Sequence, residues 1–163
     1  MATIGNWAYV LKSMLGVANA RRGKDAQKLA HRVRHLGDAY YYAGRWAQAE
    51  PCYVEALAIY RRDEQTRPLD LANAIRSFAV LKDEVGATEQ SQILWQEAHD
   101  LYVRLNVSAG IAESAARLAL LARQRGDLAR SRERLKEAAA AADAADDPDT
   151  LRYIRKVTAQ LAT

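Results

Sequence analysis

Three observations predict an all-α fold: a right-handed α-solenoid of antiparallel helical hairpins with about eight helices. Gly44, Gly86 and Gly126 lie 42 and 40 residues apart, and self-similarity at such a period marks stacked helical hairpins. The same apolar and small residues recur around each of these glycines. The chain is half apolar, carries only 8 glycines and 3 prolines in 163 residues, and nowhere alternates apolar with polar residues as a half-buried strand does.

Alignment on the glycines gives each element its place. Val33, Leu36, Gly37, Tyr40, Ala49, Tyr53 and Ala56 surround the first glycine. Ile75, Phe78, Ala79, Lys82, Ser91, Trp95 and Ala98 surround the second, and Ala115, Leu118, Ala119, Ala122, Ser131, Leu135 and Ala138 the third. Gly37, Ala79 and Ala119 fall on the first helix of each pair, and Ala49, Ser91 and Ser131 on the second. Small residues there let two helices approach, while larger ones at the flanking helical spacing fill the space between them. The glycine ends the first helix, because it takes a left-handed conformation without steric cost.

The run Leu36-Gly37-Asp38-Ala39-Tyr40, then Gly44-Arg45-Trp46, Ala49-Glu50-Pro51 and Ala56-Leu57-Ala58-Ile59-Tyr60, resembles a tetratricopeptide repeat. The long period is similar to the longer-helix repeats of the kinesin light chain type. The resemblance covers roughly residues 30–145 as three repeats. The second repeat departs at Lys82, where tyrosine is usual, and the third replaces nearly every aromatic residue by alanine or leucine.

A single domain over residues 1–163 follows, long enough to bury on the order of 70% of its unfolded surface. It comprises an N-terminal helix and basic turn (1–29), repeats at 30–71, 72–111 and 112–146, and a capping helix at 147–163. Asp147-Pro148-Asp149 stops one helix and starts the next, with aspartate as N-cap and proline at the first helical position. Leu151, Ile154, Val157 and Leu161 then line one side, as a closing helix requires.

The N-terminal helix, from about Ile4 to Ala20, carries Trp7, Val10, Met14 and Val17 on one flank and Ile4, Leu11, Leu15 and Ala18 on the next. Together they cover about half the circumference, wider than the roughly 100° stripe a helix with one buried face needs. Either the helix packs between the first repeat and another part of its own chain, or the flank around Trp7 and Met14 meets a second subunit and makes a homodimer.

Composition limits the functional classes. The formal charge of +4 equals the excess in residues 1–29, where Lys12, Arg21, Arg22, Lys24 and Lys28 face Asp25. Arg21, Arg22 and Lys24 complement the dipole at the end of the first helix. Arg130, Arg132, Arg134 and Lys136 alternate with Glu133 and Glu137 as on a solvated face, so no nucleic acid is expected as a partner. Ala18-Asn19-Ala20 looks like a signal cleavage site, but no basic residue opens the segment and Lys12 interrupts it. No apolar run approaches the roughly 18 residues of a membrane span. The single cysteine, Cys52, fits a reducing compartment, and a cytoplasmic protein is expected.

No glycine-rich phosphate loop, nucleophile turn or paired-cysteine site occurs. His31 and His35 share a helix face with Asp38 one turn on, but Arg32 and Arg34 between them disfavour a metal ion. No enzyme, metal or cofactor is expected. The family resemblance implies instead that the first helix of each repeat lines a concave groove for a peptide or partner protein. By alignment the groove residues are His31, Arg34, Asp38 and Tyr41; Asn73, Arg76, Val80 and Asp83; and Glu113, Arg117, Leu120 and Arg123. Arg34, Arg76 and Arg117 offer guanidinium forks to acidic groups of a partner, or pair with Asp38, Asp83 and Glu113 among them. Asp38 would repel a terminal carboxylate, so an internal peptide segment is the better fit than the carboxylate clamp of chaperone-binding members. Of the cluster Tyr40, Tyr41, Tyr42 and Trp46, Tyr40 reads as core, Trp46 as packing at the hairpin turn, and Tyr41 as the groove anchor.

Overall fold

The computed structural model describes the backbone of residues 4–162 and the side chains of residues 7–161. The described residues form eight helices and no strand: α1 (Ile4–Arg21), α2 (Ala26–Tyr42), α3 (Trp46–Arg62), α4 (Pro68–Glu84), α5 (Thr88–Leu105), α6 (Ser108–Gln124), α7 (Leu128–Ala145) and α8 (Pro148–Ala162). Ile4 starts α1, but its side chain lies outside the described ones. The repeat boundaries read at residues 30, 72 and 112 fall four residues inside α2, α4 and α6. The apolar pattern begins only after the first turn of each helix, and the first turns of α2 and α4 are exposed or half-buried.

The turn chemistry expected from the glycines is present three times. Gly44, Gly86 and Gly126 have φ of 70°, 72° and 79°. After each, the next backbone N–H reaches back to close the helix: Arg45 to the Tyr40 carbonyl at 2.9 Å, Ala87 to Lys82 at 2.9 Å, Asp127 to Ala122 at 3.0 Å. This left-handed cap satisfies carbonyls that the last helical turn leaves open. Asn106 (φ 53°) and Asp146 (φ 50°) end α5 and α7 in the same conformation without glycine. Short polar side chains tolerate it. The spacing of 42 rather than 40 comes from the α3–α4 connection, which spans residues 63–67 where α5–α6 needs only 106–107. Its extra residues are held by Asp63, whose side chain accepts from Gln65 N–H at 3.0 Å and whose carbonyl accepts from Thr66 N–H at 3.0 Å.

The chain divides into two compact units, Met1–Ala87 and Thr88–Thr163, a finer division than the single domain read from the repeats. In the first unit α1 packs on α2, α2 on α3 and α3 on α4, and α2 also meets α4. Gly37 is what lets α3 approach α2. A Cβ there would lie 2.9 Å from Cε1 of Tyr53, whose ring covers the glycine. Val10, Ala39 and Ala43 join α1 to α2, and Ala49, Tyr53 and Leu81 join α3 to α4. Lys82 is buried with its ammonium 2.6 Å from Glu50 and over the Phe78 ring at 5.0 Å.

In the second unit α5 packs on α6, α6 on α7 and α7 on α8, and α6 also meets α8. Its core is built mainly of alanine: Ala112, Ala115, Ala116, Ala138 and Ala142 with Ile154 and Val157. Asp147 caps α8 as expected, accepting from Thr150 N–H at 2.9 Å, and Leu151 and Leu161 pack on the same core. Within each unit one first helix meets its own hairpin partner and the next first helix, α2 with α3 and α4 and α6 with α7 and α8, which is how repeats stack.

Candidate functional site

Asp25 starts α2 by accepting a hydrogen bond from Lys28 N–H at 2.8 Å, and the helix then presents His31, Arg34, His35 and Asp38 within two turns. The four form one connected polar surface. The Nε2 atoms of His31 and His35 are 3.0 Å apart. The Asp38 carboxylate lies 3.4 Å from His35 and 3.5 Å from Arg34, and accepts from the Tyr53 hydroxyl at 2.9 Å. Burial pushes the Asp38 carboxyl up, yet the hydrogen bond from His35, the Arg34 charge and the bond from Tyr53 outweigh it and hold it below the usual carboxylate range. Partial desolvation, then the charges of His35 and Arg34, push the His31 imidazole down. Arg34 is therefore committed to Asp38, as the pairing alternative anticipated.

The rest of the first unit's predicted face is on α4, which packs against α2. Asn73, Arg76, Val80 and Asp83 are all half-buried there. Tyr41 is half-buried too, packed on the Ala49–Tyr53–Leu81 cluster and edge-on to Tyr42 at 5.3 Å. Within the cluster of Tyr40, Tyr41, Tyr42 and Trp46 the most exposed ring is that of Tyr42, at 70%. Trp46, read as packing at the turn, is 39% exposed.

In the second unit the predicted residues do different work. Glu113 is half-buried on α6. The Arg117 guanidinium sits 5.9 Å from the Trp95 ring and 5.7 Å from the Tyr153 ring, a cation between two aromatic faces. Leu120 packs on the alanine core, and Arg123 donates to the Leu161 carbonyl at the end of α8. Three of the four thus serve packing and capping around α8.

The α1 residues split as well. Trp7 and Met14 are exposed, at 42% and 44%, but Val10 and Val17 are buried. Val10 and Val17 are withdrawn from the contact surface because α2 covers them, Val10 against Ala39 and Ala43. Leu11 and Leu15 replace them as the exposed apolar residues beside Trp7 and Met14. The Arg45 guanidinium lies over the Trp7 ring at 4.8 Å.

Sequence reasoning missed His99, which has no partner at helical spacing in its own repeat pattern. It is buried, with Nδ1 3.0 Å from Ser114 Oγ and Nε2 3.1 Å from both Arg134 and Glu137. Arg134 also bonds Glu137 at 2.8 Å and Gln96 at 3.1 Å. The series serine, histidine, glutamate has the wrong polarity for a nucleophile. Ser114 is fully buried and gives its proton to the Gly110 carbonyl at 2.6 Å, so His99 Nδ1–H donates to the serine oxygen. The network joins α5, α6 and α7.

Desolvation pushes the His99 imidazole below its ordinary value of 6.5, against the pull of Glu137 and with the push of Arg134; Asp100 on α5 also faces it and pulls the same way as Glu137. A folded-state value below the unfolded one means the unfolded chain takes the proton first. Stability is then complete above about pH 6.5 and falls as the pH drops below it. Urea titrations from pH 7.5 to 5 are expected to show a shallower loss for His99→Gln than for the wild type; equal slopes would remove His99 from the acid response.

Cys52 is half-buried, and burial, then the Glu55 charge, pushes its thiol up to about 11, which leaves it a poor nucleophile at neutral pH. Among the described residues no group of three histidine, cysteine or acidic side chains is placed to hold a metal ion, and no helix is long and apolar enough to cross a membrane.

Comparison with known proteins bears on the fold. Residues 29–62 match the tetratricopeptide repeat family model, the segment that holds α2 from Leu29 onward, α3 and the His31–Asp38 surface. The crystal structure of BtubC (BKLC) from P. vanneervenii matches with a TM-score of 0.78 at 18% identity, over 98% of this chain and 66% of that one. The chain therefore spans slightly less than two thirds of that protein, and the likeness concerns the fold. Among curated proteins no sequence match is found.

Proposed function

We propose, taking the tetratricopeptide repeat at residues 29–62 as premise, that the chain is a non-catalytic, cofactor-free protein-interaction module. It takes a peptide or partner protein on the first helices of its repeats, in the cytoplasm and without nucleic acid. The observation that carries this reading is the α2 surface: His31, Arg34, His35 and Asp38 linked within 3.5 Å, beside Tyr42 and next to the Asn73, Arg76, Val80 and Asp83 face of α4. A mixed-charge strip with an exposed tyrosine suits an internal peptide segment carrying acidic groups.

Arg34 is held by Asp38, so its reversal perturbs the fold along with the surface. Arg76→Glu and Tyr42→Ala test the surface outside that ion pair, each checked for its fold by circular dichroism. A partner recovered from cell extract by the wild type is expected to bind each variant at least about tenfold more weakly; unchanged affinity for both would place the contact elsewhere.

A second reading is favoured by one observation, the exposed strip of Trp7, Leu11, Met14 and Leu15. Four large apolar side chains on one helix are a surface for self-association, in which the array acts as an assembly scaffold.

A further inference from the structure

We propose that the chain associates head to tail, the crease between α7 and α8 of one copy receiving helix α1 of a second copy. This rests on the second reading above, that α1 is an association surface, and identifies the face that receives it.

The second unit already holds one filled crease of this kind. Helix α7 packs on α6 and reaches α5 through Arg134, which bonds Gln96 and His99 at 3.1 Å each. It thus lies over the pair α5 and α6. Helix α8 begins at Pro148 as α6 begins at Ser108, forty residues earlier. In that register Ile154, Thr158 and Ala159 stand where α6 has Ser114, Leu118 and Ala119, which are 0%, 6% and 0% exposed. In α8 the same positions open, with Ala139 and Ala142 of α7 and Leu151, onto an apolar crease of about 320 Å³, and Thr158 and Ala159 are exposed. Ala159 continues the series Gly37, Ala79 and Ala119, the small residues over which a second helix comes close.

Helix α1 has the form this crease lacks. It is 18 residues long, as α7 is, and precedes α2 as α7 precedes α8, so it occupies the second-helix place of a repeat. Val10 and Val17 are spent on α2, and Trp7, Leu11, Met14 and Leu15 are exposed. A helix seated on α8 as α7 sits on α6 runs antiparallel to it, which brings its last turn to the first turn of α8. That end of α1 leads into Arg22 and Lys24, and that end of the crease has Asp143 in its α7 wall and Asp146 at the following turn, both exposed, while Arg155 lines the crease about two turns into α8. Opposite charges meet at one end and fix the direction of docking. Such a contact joins unlike faces, so it propagates from copy to copy.

Sedimentation velocity of the full chain at rising concentration tests this with two variants at exposed positions, Leu15→Glu and Ala159→Arg, each checked for helix content. The wild-type mass is expected to grow past twice the 18.1 kDa of one chain, each variant alone to stay at one chain, and their equal mixture to stop at two. In the mixture one variant supplies the intact crease and the other the intact α1. Ala139→Arg, on the α7 wall of the crease, is expected to behave as Ala159→Arg does and covers a folding failure of the latter. Assembly of both crease variants like the wild type, with Leu15→Glu monomeric, would overturn the crease while leaving α1 as an association surface. A wild type that remains a single chain at every concentration would remove both, and the peptide-binding reading would stand apart from that result.

Discussion

Trp95→Ala is expected to lower the stability of the second unit by about 3–5 kcal/mol. Trp95 is fully buried in α5, and the unit around it is built from alanine, with Ala112, Ala115, Ala116 and Ala119 all at 0% exposure on α6. Alanines let helices come close but fill little volume, so the Trp95 indole and the Tyr102 ring supply most of the bulk on α5. A truncated core collapses only in part, and the vacated space adds to the lost transfer energy. Arg117 also loses one of its two aromatic faces, the Trp95 ring 5.9 Å away. Chemical denaturation followed by circular dichroism measures the loss. Trp95→Phe should recover part of it, and a cost below about 1 kcal/mol would show that the site relaxes around the gap.

Gly110→Ala is the second large effect, and its sign is the test. Alanine in place of glycine within a helix usually stabilises by about 0.5–1 kcal/mol. At Gly110 a Cβ would lie 2.5 Å from Cδ1 and Cγ of Tyr102, on the near edge of a buried ring that cannot swing aside at its tip. Overpacking of this kind costs about 2–3 kcal/mol. Gly16→Ala in α1 is the internal control, because the nearest atom there is Arg32 Cδ at 3.5 Å, an ordinary contact. The same substitution is expected to destabilise at position 110 and stabilise at 16. Tyr102→Leu added to Gly110→Ala should cost less than the two changes summed, since the smaller side chain vacates the space the methyl enters. Strict additivity would remove the ring contact as the cause.

How far the candidate site was legible follows from what each residue depends on. Arg34 and Asp38 are one helical turn apart, so their pairing is a local property and was anticipated. The bond from Tyr53 to Asp38 needs α3 folded back on α2, and the roles of Arg117 and Arg123 need Trp95, Tyr153 and the end of α8, which periodicity does not bring together. Tyr41 and Tyr42 are adjacent in sequence, and a rotation of 100° about the helix axis separates half-buried from exposed. The His99 network left no trace in the repeat pattern, because its members are spread over α5, α6 and α7 and no two share a repeat position.

The helical class, the eight helices, the three glycine-ended hairpins and the Asp147 cap were determined by sequence alone. Each rests on interactions within a few residues of the chain: helical periodicity, the left-handed backbone that glycine permits, and a carboxylate reaching the third N–H ahead of it. Asn106 and Asp146 do the same work as glycine but carry no such unique mark. Which flank of α1 is covered, which tyrosine faces solvent, which arginines are free of packing duty and where an open crease remains were decided only by tertiary structure. These depend on which helix lies against which, at what rotation, and a difference of one residue in that rotation moves a side chain from core to surface.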